Sequence, residues 1–131
     1  MKSTVQTVAL LFGVVFVLVA ILGFITDGGT AMGVETPGMI LGLFPTNLLH
    51  NLVHLLFGVW GIVGSRSFAG AKQFCTIGGI IYLVLTVLGF FLPDGFGMVP
   101  LGGNDIYLHL LLGLVLTVVG VTARPVAAPN S

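Results

Sequence analysis

Four long apolar segments constrain this chain more than any other feature of its sequence. A helix that crosses a bilayer needs about 20 mostly apolar residues, and four stretches meet that requirement, at approximately 5–26, 47–65, 74–92 and 106–123. Only 6% of the residues are charged, against about 25% in a soluble domain. The sequence therefore predicts an all-α integral membrane protein, a bundle of four transmembrane helices that forms a single domain over residues 1–131.

The charged residues divide between the two sides of such a bundle. The N-terminus, the middle loop and the C-terminus share one side, and all the basic residues fall there: Lys2, Arg66, Lys72 and Arg124. The acids fall in the other two loops: Asp27, Glu35, Asp94 and Asp105. Because Lys and Arg mark the cytoplasmic side of a membrane, we expect a multi-pass protein of the inner (plasma) membrane with both termini in the cytoplasm.

The connection between the first two helices, residues 27–46, is long for a helical bundle. It contains an apolar stretch, 39–44, that is too short to span a bilayer. We expect this stretch to lie flat at the outer interface or to fold over the mouth of the bundle. Pro45 suits the first turn of the second helix, where its missing N–H costs little.

Short matches in the same order along the chain predict an internal duplication of a helix pair. Leu-Gly-Phe-Ile at 22–25 resembles Leu-Gly-Phe-Phe at 88–91, and each is followed closely by Asp-Gly. His54 begins His-Leu-Leu-Phe-Gly and His109 begins His-Leu-Leu-Leu-Gly. The two histidines would then be equivalent residues, related by a twofold axis along the membrane normal.

Polar side chains occupy one face of the second helix and one face of the fourth. At 100° per residue, an arc of about 100° of the second helix contains Asn47, His50, Asn51 and His54. An arc of about 80° of the fourth contains Asp105, His109, Gly113 and Gly120. Because polar groups facing lipid are costly, we expect both faces to point into the bundle, with the histidines in its outer half.

These faces supply the candidate ligand-binding residues His50, His54, His109, Asn47, Asn51 and Asp105. The three histidines could hold a transition metal, because residues at i and i+4 can bind one ion and a third can come from another helix. Paired histidines could instead ligate haem or another tetrapyrrole, with Gly58 and Gly113 giving the macrocycle room. A proton or ion path through a small transporter is a third hypothesis.

A purely structural role is the alternative to all of these, because Asn and His can hydrogen-bond between transmembrane helices. The single cysteine, Cys75, excludes an intrachain disulfide and a thiolate zinc site. A net charge of zero gives no sign of a nucleic-acid partner. With no evident nucleophile beside a histidine, an enzyme is not favoured. A structural or assembly subunit of a membrane complex, as a homo-oligomer or with other proteins, is the most economical function, with no cofactor bound.

Two blocks of sequence carry a family resemblance. Asn-Leu-Leu-His-Asn-Leu-Val-His-Leu-Leu-Phe-Gly-Val-Trp-Gly at 47–61 and Asn-Asp-Ile-Tyr-Leu-His-Leu-Leu-Leu-Gly at 104–113 resemble the bacterial membrane family called domain of unknown function 4383. The resemblance covers most of the chain. It implies a small four-helix protein of the bacterial inner membrane and points to the same Asn and His positions, but it assigns them no role.

Overall fold

Four helices make up most of the protein. The structure, a computed structural model, describes residues 2–128, so both ends of the predicted 1–131 domain lie outside the described residues. The helices are α1 (Thr4–Ile25), α2 (Leu48–Gly64), α3 (Phe68–Phe91) and α4 (Asp105–Thr122). Between α1 and α2 lie two strands, β1 (Gly38–Ile40) and β2 (Phe44–Thr46), and a 3-10 turn at Gly95–Gly97 precedes α4.

Three of the helices, α1, α3 and α4, are long and apolar enough to cross a membrane. The fourth, α2, is apolar but has 17 residues, which at 1.5 Å each makes it about 26 Å long. Large apolar side chains are exposed on the outer surface of every helix, among them Leu18, Leu56, Val84 and Leu111. Lipid is the solvent that such a surface suits.

The third helix begins six residues before the predicted start at 74, because the Ser67 side chain caps it by accepting a hydrogen bond from the backbone N–H of Gly70. Lys72 therefore lies inside α3, where the prediction placed it in a loop. Its Nζ donates to the carbonyl oxygen of Ala123 at 3.3 Å. The charge thus stays at the end of the helix, beside the end of α4.

The four basic residues lie at one end of the fold, which we call the basic end. Gln6, in the first turn of α1, donates from Nε2 to the Ser65 carbonyl at the end of α2. Lys72 links the start of α3 to the end of α4 in the same way. The opposite end carries the two strands, and we call it the hairpin end.

Residues 38–46 form a short antiparallel hairpin, which the sequence did not predict, in a fold whose main elements are the four predicted helices. Met39 pairs with Pro45 in its register, so Pro45 lies in a strand and the prediction that it starts α2 is wrong. Leu41 and Gly42 at the tip both have positive φ, 54° and 70°, as in a type I′ turn, which suits hairpins. Strands of three residues are too short for the sequence pattern to reveal.

Glycines bring the helices of each consecutive pair into backbone contact. A Cβ on Gly13 of α1 would lie 2.7 Å from the backbone nitrogen of Ile62 in α2. A Cβ on Gly79 of α3 would lie 2.5 Å from the backbone nitrogen of Thr117 in α4. Small residues at helix contacts are typical of bundles in lipid.

Aromatic rings fill the centre between the two pairs. Phe16 of α1 stacks on Tyr82 of α3, with ring centroids 5.5 Å apart and planes 10° apart. Towards the basic end the core continues with Phe74, Leu116 and the fully buried Cys75.

Candidate functional site

The buried polar side chains concentrate near the hairpin end of the bundle. All six candidate residues are buried there, with relative exposures of 4% or less: Asn47, His50, Asn51, His54, Asp105 and His109. The expectation that the polar faces of α2 and α4 point into the protein is confirmed. These helices bring the residues together because each places its polar groups at i and i+4.

The three histidines form one cluster. A potential ligand nitrogen from each of His50, His54 and His109 lies within 4.8 Å of the other two. The rings of His50 and His54 have centroids 4.3 Å apart, and those of His50 and His109 lie 6.1 Å apart across the two helices. These are the three residues that the sequence predicted as candidate metal ligands.

The hairpin fixes the orientation of the His50 ring through a backbone carbonyl. Its Nδ1 lies 3.2 Å from the carbonyl oxygen of Pro45. Because a carbonyl oxygen only accepts, Nδ1 carries the proton and donates it, which leaves the lone pair on Nε2. That atom has no hydrogen-bond partner among the described residues. A backbone carbonyl that accepts from the remote nitrogen in this way is the usual support of a metal-binding imidazole.

Several other atoms at the cluster also lack a hydrogen-bond partner within residues 2–128. They are Nδ1 of His54, Nδ1 of His109 and Oδ2 of Asp105, each buried. Asp105 Oδ2 lies 3.8 Å from Nε2 of His50, too far for a hydrogen bond. A buried polar atom without a partner costs free energy, and a buried carboxylate more so. The described residues therefore leave these four buried atoms, Nε2 of His50 included, without a hydrogen-bond partner.

Asn47 and Asn51 differ from the histidines in that the chain already satisfies their amides. Asn47 Nδ2 donates to the carbonyls of Gly33 and Met98, both at 2.8 Å, and its Oδ1 caps α2 by accepting from His50 N–H. Asn51 Nδ2 donates to the Gly29 carbonyl at 2.8 Å. Thr46 Oγ1 donates to Asn51 Oδ1 at 2.6 Å. These two side chains join the loops at the hairpin end to α2.

A cavity of about 100 Å³ adjoins the histidines. The three imidazoles and Tyr82 line it, together with five aliphatic side chains: Leu49, Val53, Leu85, Val99 and Leu101. Tyr82 is 1% exposed, and its hydroxyl has no hydrogen-bond partner among the described residues. Tyr82 was not among the site residues predicted from the sequence. The available signal was the predicted duplication, which would make Tyr82 equivalent to Phe16, a residue without a hydroxyl.

The geometry does not fit a tetrapyrrole. Organic ligands and cofactors usually occupy pockets of about 300–1,000 Å³, and this cavity is far smaller. Gly58 and Gly113, which were expected to admit the macrocycle, are instead covered by Val17 of α1 and Leu83 of α3. The glycines serve helix packing.

The core on the basic side of the cluster is aromatic and aliphatic. Phe16 packs beside His54 with ring centroids 5.9 Å apart, and Phe57 and Phe74 follow. The polar atoms buried among the described residues there include the hydroxyls of Thr76 and Thr117, and no charged side chain lies with them in this part of the described core.

Comparison with known proteins gives a family and no activity. The model of the family described as Domain of unknown function (DUF4383) matches residues 6–122, which include nearly all of the four helices. No curated protein matches the chain, and no solved structure matches it. The chemistry of the site therefore rests on its geometry.

Proposed function

We propose a function from the site itself, because the chain belongs to the family described as Domain of unknown function (DUF4383), whose description assigns no activity. The protein is a multi-pass membrane protein that binds one divalent transition-metal ion inside its helical bundle. His50, His54 and His109 are the ligands, and the carboxylate of Asp105 supplies a negative charge beside them. Imidazole suits zinc, copper, iron and nickel among the common metals.

The observation that carries this proposal is that one ring nitrogen from each of three imidazoles lies within 4.8 Å of the others, while each ring also has a buried nitrogen without a hydrogen-bond partner among the described residues. If the histidines served only to join helices, their ring nitrogens would bond across the bundle. Instead they lie within 4.8 Å of one another. An ion that binds nitrogen at about 2.0–2.1 Å in a tetrahedral site holds its ligand atoms about 3.4 Å apart, so binding requires the nitrogens, now within 4.8 Å, to approach one another by up to about 1.4 Å.

The charge balance supports the same conclusion. Asp105 is 1% exposed, and its Oδ2 has no hydrogen-bond partner among the described residues. Oδ2 lies 3.8 Å from Nε2 of His50. A metal ion bound to that nitrogen would place a positive charge beside the carboxylate. A divalent cation thus offsets the cost of keeping a carboxylate in the protein interior.

The membrane orientation follows from the charges. Three helices have the length and hydropathy of spans, and α2 completes the fourth crossing with the help of the hairpin at its start. The basic end faces the cytoplasm by the positive-inside rule. The hairpin end and the metal site then lie in the outer half of the inner membrane, with both chain ends in the cytoplasm.

We also infer that the two helix pairs are duplicates. Gly13 contacts Ile62 as Gly79 contacts Thr117, and Val17 covers Gly58 as Leu83 covers Gly113. The sequence spacing from Gly13 to Gly79 equals that from Val17 to Leu83, and the spacing from Ile62 to Thr117 equals that from Gly58 to Gly113.

The same spacings pair His54 with His109, His50 with Asp105 and Phe16 with Tyr82. The metal site is then formed where two equivalent i, i+4 pairs meet: His50 with His54 on α2, and Asp105 with His109 on α4.

The test is metal analysis of the protein purified in mild detergent, stripped with a chelator and then loaded with zinc or with cobalt(II). We expect one ion per chain by elemental analysis, and a cobalt absorption spectrum typical of nitrogen ligands. His54→Asn and His109→Asn should each weaken binding by at least about 100-fold, since even a residue that only supports a ligand contributes about 10–100-fold. Both variants should keep the helical circular dichroism.

Tyr107→Asn is the matched control, because it places the same new side chain on α4 at a position that is 71% exposed. This variant should bind zinc and cobalt as the unmodified protein does. A folded protein that takes up neither ion would contradict the proposal and favour the structural role, with the histidines satisfied by buried water.

A further inference from the structure

The cavity beside the histidines leads to an inference that rests on the proposed metal site. Three protein ligands leave a tetrahedral ion one position short, and sites of this kind keep that position for an exchangeable ligand. The cavity of about 100 Å³ is lined by the same three histidines. A cavity needs only about 10–15 Å³ of such space to admit one water molecule, so this cavity admits a small ligand of a few atoms.

The charges define the class of ligand. A divalent ion, one carboxylate from Asp105 and three neutral imidazoles leave a site with one net positive charge. The rest of the cavity wall is aliphatic, formed by Leu49, Val53, Leu85, Val99 and Leu101. A low-dielectric wall of this kind favours a complex without net charge. Binding of a small monoanion makes the net charge of the site zero.

Tyr82 supplies the polar contact that such an anion needs. Its ring lies 5.2 Å from that of His109, it lines the cavity, and its hydroxyl is buried without a hydrogen-bond partner among the described residues. The equivalent position in the first helix pair carries Phe16, which stacks on Tyr82. The hydroxyl is therefore not needed to fill space at this contact.

We propose that the metal keeps one coordination position open to this cavity for a small monoanion, and that Tyr82 donates a hydrogen bond to the bound anion. Tyr82 is a ligand-binding residue and does not contact the metal. The aliphatic side chains limit the size of the anion.

The probe is azide, a linear monoanion of three atoms, added to the cobalt(II)-loaded protein. We expect a saturable change in the cobalt absorption spectrum. Tyr82→Phe should retain cobalt, and its affinity for azide should be lower by a factor of about 10 or more. A hydrogen bond to a charged group contributes a factor of that size to the affinity. Tyr107→Phe removes an exposed hydroxyl from α4 and should leave the azide affinity unchanged.

A second pair of variants tests the cavity. Leu85→Phe fills it and should abolish the azide response while cobalt still binds, whereas Leu111→Phe, at a position 60% exposed on α4, should change neither. A cobalt spectrum that azide does not alter would overturn this inference and leave the metal site standing. Failure to bind cobalt at all would overturn both. An azide response that survives Leu85→Phe and Tyr82→Phe undiminished would show that the anion binds elsewhere.

Discussion

At the scale of single residues, Asn47 does more for the hairpin end than any other described side chain. One amide caps α2 through its oxygen and holds the carbonyls of Gly33 and Met98 through its nitrogen. Gly33 and Met98 belong to different loops, one before α2 and one before α4. Asn47 therefore fixes both loops over the site. Because these hydrogen bonds occupy its amide, Asn47 cannot also bind a metal ion.

We predict that Asn47→Ala lowers the free energy of unfolding by about 2–3 kcal/mol, since a helix cap and two part-buried hydrogen bonds are lost at about 1 kcal/mol each. Asn104→Ala removes one exposed hydrogen bond, to the Leu43 carbonyl, and should cost less than about 1 kcal/mol. Unfolding in detergent followed by the fluorescence of Trp60, the only tryptophan, measures both. Equal losses for the two variants would contradict the role given to Asn47.

The site could be predicted from the sequence only in part. Helical periodicity alone predicted that His50, His54, His109 and Asp105 share inward faces, because a polar group on an apolar helix has few other places to point. It did not separate the asparagines from the histidines, since that difference lies in loop carbonyls distant along the chain. Tyr82 was not predicted as a site residue, because the sequence does not indicate whether the hydroxyl of a tyrosine in an apolar helix has a hydrogen-bond partner.

At the scale of elements, backbone contact between helices explains why this apolar chain contains so many glycines. A Cβ on Gly79 would clash with the backbone of Thr117, whereas a Cβ on the adjacent Gly78 would make ordinary contacts with ring atoms of Phe57, at 3.6 Å, and Phe74, at 3.9 Å. Both glycines are buried in α3. One position is therefore required for helix packing and its neighbour is free to carry a methyl group.

Gly79→Ala should destabilise the protein by about 1–3 kcal/mol, the usual result of overpacking. Gly78→Ala should be neutral or stabilising by up to about 1 kcal/mol, because alanine has the higher helix propensity. Thermal unfolding of the two variants, monitored by circular dichroism, decides between them. The prediction fails if Gly78→Ala is the more damaging change.

The elements themselves were predictable to different degrees. Runs of about 20 apolar residues define the helix cores well, whereas the start of α3 depends on the cap at Ser67, which precedes a weakly apolar first turn. The hairpin was missed because its pairing of Met39 with Pro45 depends on a tight turn at Leu41, a residue that rarely adopts positive φ.

At the scale of the whole molecule, the arrangement is two helix pairs around a central aromatic contact, with the basic residues at one end and the candidate site near the other. The order of the segments and the separation of charges were both present in the sequence. The sequence could not predict how closely the pairs approach, because that distance depends on the stacking of Phe16 on Tyr82.

The proposed orientation makes a direct prediction. A reporter that is active only in the cytoplasm should be active when fused after Arg124, and inactive when inserted after Gly42 at the tip of the hairpin. A reporter active only outside the cytoplasm should give the reverse pattern. The same compartment for both positions would mean an even number of crossings among α2, α3 and α4, and would exclude the four-span topology.

The burial of Cys75 has a practical consequence. Its thiol is the only one in the chain and is 0% exposed, so an alkylating reagent reaches it only when α3 separates from its neighbours. The rate of alkylation then measures how often the bundle opens under native conditions. A ligand that binds only the closed state lowers the population of the open one. Binding of such a ligand should therefore slow the alkylation of Cys75.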